Sequence, residues 1–391
     1  MEKIKVFHVI TKLEFGGAQG NTLYTCSRLD KARFAVSLVC GPGGRLDDKA
    51  LADGYPVYFV PHLAREINPV SDAAALFQLY RLFRKHRPDI VHTHSSKAGI
   101  LGRIAAWLAG VRVVIHTFHG FGFTPAQRPL VRSAFSAAEK LCSRLSGALI
   151  FVSRANMDEA AAIGFAKKAP WRVIRSGIKL SDYPAQNCDA AKVKASLDLP
   201  PDARYVICVG NFKPQKNPLD FVRMAEAVLR KTPDVFFVYT GEGALRPEAE
   251  KLAHSLGIKA KLRFPGWRTD TPCLLACAEA FVLASLWEGL PRALVEALKT
   301  GLPCAAYGCD GVRDLLRDGE NGFVVAPGDV NGLAARVSAL LADKELREKI
   351  IAGARAADLA EFDIDNMVSA QEKLYLELVD ERVSQHSAAG L

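Results

Sequence analysis

The sequence predicts an α/β protein made of two doubly wound, parallel-sheet domains. Three observations predict it. Short runs that are apolar almost throughout alternate with stretches of helical periodicity, as buried parallel strands and their covering helices do. The alternation restarts after residue 200. The length, 391 residues, is too great for one ordinary domain and suits two.

In chain order, IKVFHVIT, FAVSLVC, YPVYFV, DIVHTH, VRVVIHTF and GALIFVS read as the strands of the first series. Helical periodicity fills most of the gaps, for example over 73–85 and 99–108. The polar, turn-rich stretch SGIKLSDYPAQNCDA, 176–190, reads as a linker. The second series runs RYVICVGNF, VFFVYTG, KLRFPG, AFVLAS, PCAAYG and GFVVAP, again with helices between. No short-period repeat or low-complexity tract interrupts it.

Composition agrees: 49% hydrophobic and 24% charged residues supply a sizeable core and exclude a disordered chain. The opening MEKIKVFHVIT has an apolar core of a few residues, which reads as a strand and not a signal peptide, and no run has the length of a membrane span. Nine scattered cysteines without a C-x-x-C pair read as reduced, buried thiols in a cytosolic protein, with no metal site. Charge is uneven: residues 1–180 carry 26 Lys+Arg against 12 Asp+Glu, and 181–391 carry 25 against 30. A basic first half points to an anionic partner: nucleic acid, lipid headgroups or a phosphorylated substrate. No nucleic-acid motif is present.

Ligands of open parallel sheets bind beyond the carboxyl ends of the strands, and the motifs fall there. Gly16 and Gly17 follow the first strand, His119 and Gly120 a later one. VGNFKPQKN, with Gly210, Asn211, Lys213 and Lys216, follows the first strand of the second series. Gly241 and Gly243 of YTGEG follow the next strand, and Gly266 and Trp267 lie in FPGW. In SLWEGLPRALVEALKTGLP, a helix is expected over 291–299, with Pro291 at its first position and Gly301 as its stop. Free amides around Leu290 to Ala293 then form an anion site. Glu288 precedes them, and Glu296 follows Pro291 by roughly 7–8 Å of helix axis. Carboxylates repel phosphate but accept well from a diol. The stretch reads as a clamp for a nucleotide-sugar, with the diphosphate in the middle and a sugar at each end.

These residues resemble a known family. E-G-L-P-x-A-L-V-E-A-L-x-x-G-L-P is similar to the E-x7-E signature of retaining glycosyltransferases of the GT-B fold, family GT4. The resemblance spans nearly the whole chain: the Gly-Gly loop, HTFHG, the glycine-then-lysine loop, GEG, FPGW and LLRDGENGFVVAPGD. HTHSSKAGILGRIAAWLAG is particularly similar to CapM-like transferases of bacterial capsule, O-antigen and exopolysaccharide synthesis. The resemblance implies an acceptor-binding domain over 1–178, a nucleotide-sugar domain over 179–361, a cleft between them, and a terminal helix over 362–391 that returns to the first domain. It implies that Glu296 binds the ribose, Glu288 a hydroxyl of the transferred sugar, the amides near Gly289 to Arg292 the diphosphate, and Lys216 the charge that develops there. Trp267 would stack on the base or pack internally, Gly16 and Gly17 would approach the phosphate, and His119 would line the reacting centre. The family commonly carries an arginine five residues before the lysine; here Asn211 stands there, with Lys213 as the replacement charge.

The expected reaction moves a hexose from a nucleotide-sugar, UDP-linked in the first instance and GDP-linked as the alternative, to a glycan or lipid-linked glycan. No D-x-D motif is present, so neither a metal nor another cofactor is expected. Phe121 and Phe123 beside Arg128, Arg132, Lys140 and Arg144, with Val131, Ala134, Phe135, Ala138, Leu141 and Leu145 on one helical stripe, suit an anionic membrane surface. The expected location is the inner face of the cytoplasmic membrane. A sugar-nucleotide epimerase of the same shape, or a non-catalytic binding relative, is the alternative.

Overall fold

The structure, a computed structural model, describes residues 2–123, 127–167, 169–184 and 187–389. The chain divides into two compact units, Met1–Gly177 with Ile364–Leu391, and Ile178–Asp363.

The first unit runs β1 (Ile4–Lys12), α1 (Gly17–Arg28), β2 (Phe34–Gly41), α2 (Asp47–Ala52), β3 (Val57–Phe59), α3 (Pro69–His86), β4 (Ile90–His94), α4 (Ser96–Ala109), β5 (Val113–Phe118), α5 (Pro129–Ser143), β6 (Ala148–Phe151), α6 (Arg154–Ala162) and β7 (Trp171–Val173). Its parallel sheet has the order β3-β2-β1-β4-β5-β6-β7. The short strand β7 is absent from the sequence reading, because three residues carry no usable periodicity.

The second unit runs α7 (Ala190–Ala195), β8 (Arg204–Val209), α8 (Pro218–Leu229), β9 (Val235–Thr240), α9 (Arg246–Ser255), β10 (Leu262–Gly266), α10 (Thr271–Ala276), β11 (Ala280–Leu283), α11 (Arg292–Thr300), β12 (Cys304–Tyr307), β13 (Phe323–Val325), α12 (Val330–Ala342) and α13 (Lys344–Ala356). Its parallel sheet has the order β10-β9-β8-β11-β12-β13. The core between this sheet and its helices gathers Phe212, Phe221, Phe237 and Tyr239, all fully buried. The last helix, α14 (Ile364–Ala389), packs Ile364, Met367, Val368 and Tyr375 into the core of the first unit, against Val6, Phe34 and Ile90.

In each sheet the strand order reverses once, between β1 and β4 and between β8 and β11. At such a switch point the loops leaving the two strands diverge and open a crevice for a ligand.

Two expectations change here. The nine cysteines are not all free: Cys188 and Cys273, 85 residues apart with Cα atoms 5.5 Å from one another, form a disulfide. Sequence spacing carries no trace of a pair that the fold alone brings together. Charge is also redistributed, because α14 returns an acidic segment to the basic unit. The first unit carries 27 Lys+Arg against 17 Asp+Glu, and the second 24 against 25.

Candidate active site

In the second unit, the switch-point loops are Gly210–Lys216 after β8 and Ser285–Pro291 after β11. They are sewn together by Leu286 N–H donating to the Gln215 carbonyl at 2.9 Å, and by the Gln215 amide donating to the Trp287 carbonyl at 3.0 Å. Between them Lys216 pairs with Glu288, which is 6% exposed. The Glu288 amide donates to the Asp310 carboxylate at 2.7 Å, fixing the loop from below. The Asp310 carboxyl is pushed up chiefly by burial, opposed by that amide. A buried carboxylate thus faces a lysine at the mouth of the crevice, both held by backbone contacts rather than by side-chain packing alone.

The glycines beside this pair have a steric reason. Gly241 has φ +130°, and a Cβ on it would lie 2.0 Å from the Gly210 carbonyl oxygen, so no other residue fits. The loops after β8 and β9 are closed further by Phe212 N–H donating to the Glu242 carbonyl at 3.0 Å. Gly16 differs: its backbone is extended, and its neighbour is the mobile end of Gln19. Gly17 is already the first residue of α1. Neither needs to be glycine for conformational reasons.

Helix α11 begins at Arg292, so Pro291 is its cap residue and not its first helical one, as ψ 88° at Pro291 lies outside the helical range. Gly301 ends it with φ 77°, as expected. No side chain caps its first amides. Half-buried Glu296, in its second turn, has its carboxyl pushed up by burial, while Arg292 and a hydrogen bond from Tyr183 act in the other direction. Tyr183 has no motif to announce it; it comes from the linker, where only the fold decides its neighbours. Trp267 is 47% exposed at the end of β10, so internal packing does not describe it. Lys213 is exposed, whereas Lys216 is partly covered.

In the first unit, β1 and β4 carry the switch point. Ser95, which follows β4, has φ 61°, an uncommon conformation for serine, and its hydroxyl meets Thr11 of β1 at 2.8 Å. Thr11 in turn accepts from the Ala98 amide at 3.2 Å, tying the first turn of α4 to β1. His119 follows β5, and its Nε2 lies 3.1 Å from Nδ1 of His94, the last residue of β4. His94 reaches His8 at 3.0 Å. Burial pushes the His8 imidazole down to about 3. His92, His94 and His116 also lie well below the usual histidine range, by burial first and neighbouring charges second. The sequence reading isolated His119 and missed this cluster; alternating histidines in DIVHTH were the available signal.

The membrane-facing expectation is partly overturned. Phe123 is 5% exposed and stacks on Phe121 at 4.6 Å, so it is an internal residue. Helix α5 buries Glu139, Cys142 and Ser143, because Glu139 is drawn inward to Arg103. The expected apolar stripe is left exposed or half-buried: Val131, Ala134 and Leu141 are exposed, and Phe135, Ala138 and Leu145 lie between. Arg128, Arg132, Lys140 and Arg144 are exposed. Residues 124–126 of the expected surface lie outside the described residues. Among the described residues no helix is long and apolar enough to cross a membrane.

Comparison with known proteins identifies this architecture. The family "Glycosyl transferase 4-like domain" matches residues 16–177, and "Glycosyl transferases group 1" matches residues 189–357. The UDP-Gal:alpha-D-GlcNAc-diphosphoundecaprenol alpha-1,3-galactosyltransferase of Escherichia coli is 35% identical over 96% of this chain and 98% of its own length. The lipopolysaccharide core biosynthesis glycosyltransferase LpsE of Rhizobium meliloti (strain 1021) is 32% identical over 51% of this chain and 56% of its own. Anabaena Alr3699/HepE, solved in complex with UDP-glucose, has the same fold with TM-score 0.82 at 20% identity, over 96% of this chain and 99% of its own. The epimerase and the non-catalytic alternatives are not favoured by these relatives. The chain belongs to the group 1, GT4-like glycosyltransferases: it is a GT-B-fold transferase of bacterial surface polysaccharide synthesis that takes its sugar from a nucleotide-sugar.

Proposed function

We propose that the chain transfers galactose from UDP-galactose to a sugar held through diphosphate on a polyprenyl lipid, with retention and without a divalent metal. The observation that carries this reading is the 35% identity over 96% of the chain to the Escherichia coli enzyme named for that donor and acceptor class. The site is compatible with it. The amides at the start of α11 and the Lys216 ammonium stabilise the negative charge that grows on the departing UDP, which is the main demand of the step. Glu288, buried against Lys216, orients a hydroxyl of the transferred sugar, and Glu296 accepts from the ribose diol. Trp267 offers an exposed face to the base. The bond from the anomeric carbon to the UDP oxygen breaks, the bond to the acceptor oxygen forms on the same face, and the acceptor proton passes to the leaving phosphate.

Labelled UDP-galactose, UDP-glucose, UDP-N-acetylglucosamine and GDP-mannose, each incubated with N-acetylglucosaminyl-diphosphoundecaprenol, test the proposal. Label should enter the lipid from UDP-galactose in an α linkage, with EDTA leaving the rate within a factor of two. Transfer from GDP-mannose alone, a β product, or activity abolished by EDTA and restored by magnesium would each overturn the corresponding part.

The lipid acceptor requires access to a bilayer, and α5 supplies a candidate contact. Leu130, 83% exposed, and Leu141, 56% exposed, stand among the four exposed cations. Apolar insertion plus attraction of about 1 kcal/mol per cation near anionic lipid suits peripheral binding at the inner face of the cytoplasmic membrane. Replacing Arg128, Arg132, Lys140 and Arg144 by glutamine should reduce sedimentation with anionic vesicles while nucleotide binding persists. Equal sedimentation of both forms would exclude α5 as the contact.

A further inference from the structure

Lys216 and Glu288 stand on different loops, and the end of a third strand, β12, is tied to both. All of these residues lie within the second unit. β12 ends at Tyr307, and a turn over 308–312 follows it.

Toward Glu288, three successive residues of this turn meet the loop after β11. The Cys309 thiol donates to the Ser285 carbonyl at 3.3 Å. The Asp310 carboxylate accepts from the Glu288 amide at 2.7 Å. Gly311 passes so close that a Cβ on it would lie 2.3 Å from the Gly289 carbonyl oxygen. Asp310 holds its place at φ 32°, which is uncommon for a residue other than glycine.

Toward Lys216, the same strand end works through the first turn of α8, although β11 separates β12 from β8 in the sheet. The hydroxyl of Tyr307, a fully buried residue, donates to Oδ2 of Asp220 at 3.1 Å. That oxygen also accepts from Asn217 Nδ2 at 2.7 Å, while Oδ1 accepts from Arg223 Nη1 at 2.9 Å. A carboxylate only accepts, so Asn217 must turn its NH2 group to Asp220. Asn217 directly follows Lys216 and is left-handed, with φ 47°. It is the cap residue of α8, yet its side chain caps no amide. An ordinary asparagine cap is extended and offers its oxygen to the helix. Here the side chain is committed to Asp220 instead, and it fixes the residue next to the lysine.

Residues other than glycine stay at positive φ only where their surroundings over-determine them. Two such residues adjoin the two loops of one ion pair, and the end of β12 supplies the surroundings of both. In the structure Lys216 and Glu288 face each other. In the proposed transfer both take the nucleotide-sugar as partner, so their side chains must turn while the loops stay in place. A misplacement of about 1 Å at a reacting centre costs up to about 10²-fold in rate.

We propose that the end of β12 is a positioning brace for the transfer: Tyr307, through Asp220 and Asn217, sets the backbone at Lys216, and Asp310 sets the backbone at Glu288, so that the two loops keep one spacing. The proposal rests on the reading of Lys216 and Glu288 as donor-site residues. Tyr307, Asp220 and Asp310 are positioning residues that act through this pair.

Double-mutant cycles test the brace, read in steady-state transfer from the donor accepted in the assay above, with nucleotide-sugar affinity measured by calorimetry. Tyr307→Phe removes only a buried hydroxyl and should lower kcat about tenfold, with donor affinity held within about twofold. In the Lys216→Ala background the same substitution should change kcat by less than about twofold, because the group through which it acts is gone. Asp310→Ala should behave likewise against Glu288→Gln. Asp310→Asn, whose oxygen still accepts from the Glu288 amide, should recover most of the loss. Unchanged kcat in folded Tyr307→Phe and Asp310→Ala would overturn the proposal. So would equal losses in both backgrounds, which is the result of a role in folding alone. Should Tyr307→Phe fail to fold, the two Asp310 variants decide the matter. Lys216→Ala and Glu288→Gln with unaltered kcat would overturn the underlying reading and the brace together, whereas failure of the brace alone leaves those two variants impaired.

Discussion

At the scale of the residue, the proposed transfer rests on Lys216, Glu288 and Glu296 of the second domain. Removing Lys216 takes away the cation proposed to act at the leaving group and strands the buried Glu288 carboxylate. Lys216→Ala should lower kcat by about 10²–10³-fold, the range seen when one preorganised charge-stabilising group is lost; single-turnover transfer assays would show it. Glu296→Ala removes the acceptor proposed for the ribose diol and should weaken UDP-sugar binding by about 1–3 kcal/mol in calorimetry. Unchanged affinity would take Glu296 out of the site. The pH dependence has a definite sign. Burial raises the Glu296 carboxyl above its ordinary value. As pH falls, it is therefore neutralised earlier than an exposed glutamate, so donor affinity should decline on acidification before the usual glutamate range is reached. Tyr183→Phe removes a hydrogen bond that favours the ionised form, and should move that decline to still higher pH.

At the scale of the element, helices are placed by what they bury, and α4 and α5 show it. Gly99 lets α4 lie on β5, where a Cβ would come within 2.4 Å of the His116 ring. One turn later, Arg103 is fully buried, donates from Nε to the Gly99 carbonyl at 2.7 Å and pairs with Glu139 of α5. Burial pushes the Glu139 carboxyl up and the Arg103 guanidinium opposes it. Arg103→Met leaves Glu139 buried without its cation and should destabilise the protein by about 3–5 kcal/mol. The double variant with Glu139→Leu should recover much of the loss in denaturant unfolding, since a buried pair replaced by apolar groups of similar volume is often neutral. No recovery would mean that packing, and not charge, sets the penalty.

At the scale of the whole molecule, buried neutral histidines link stability to pH. His8 titrates near 3 in the folded chain, and His92, His94 and His116 well below the usual range, whereas all four return to about 6.5 when unfolded. Below pH 6.5 the unfolded chain therefore binds more protons than the folded one, and stability falls with acidification, by up to about 1.4 kcal/mol per pH unit for each histidine. Urea midpoints should drop steadily from pH 7 to pH 5 for the transition that melts the first domain. A flat profile would contradict the burial of these rings. The redistribution of charge by α14 acts at this scale too. With 27 cations against 17 acids in the first unit, vesicle binding should depend on the local cations of α5 more than on net charge, and should weaken as salt screens them.

The sequence by itself determined the two-sheet architecture, because apolar runs of strand length separated by amphipathic stretches leave little choice beyond parallel sheets covered by helices. It also determined the loops that carry Lys216 and Glu288 and the helix that carries Glu296, since glycine pairs, a helix stop at Gly301 and acids at a fixed interval are local signals. Where the signal was local but the cap geometry was not, the reading slipped by one residue, as at Pro291. Only the tertiary structure decided which distant groups meet. The bond between Cys188 and Cys273, the Arg103–Glu139 pair that turns the apolar stripe of α5 outward, and the contact of Tyr375 with His8 and His92 all join residues from separate elements. The physical reason is common to all three. Periodicity reports how a segment meets an interior in general, whereas a hydrogen bond or ion pair depends on which segment closes over it, and that is settled by sheet order and by the return of α14.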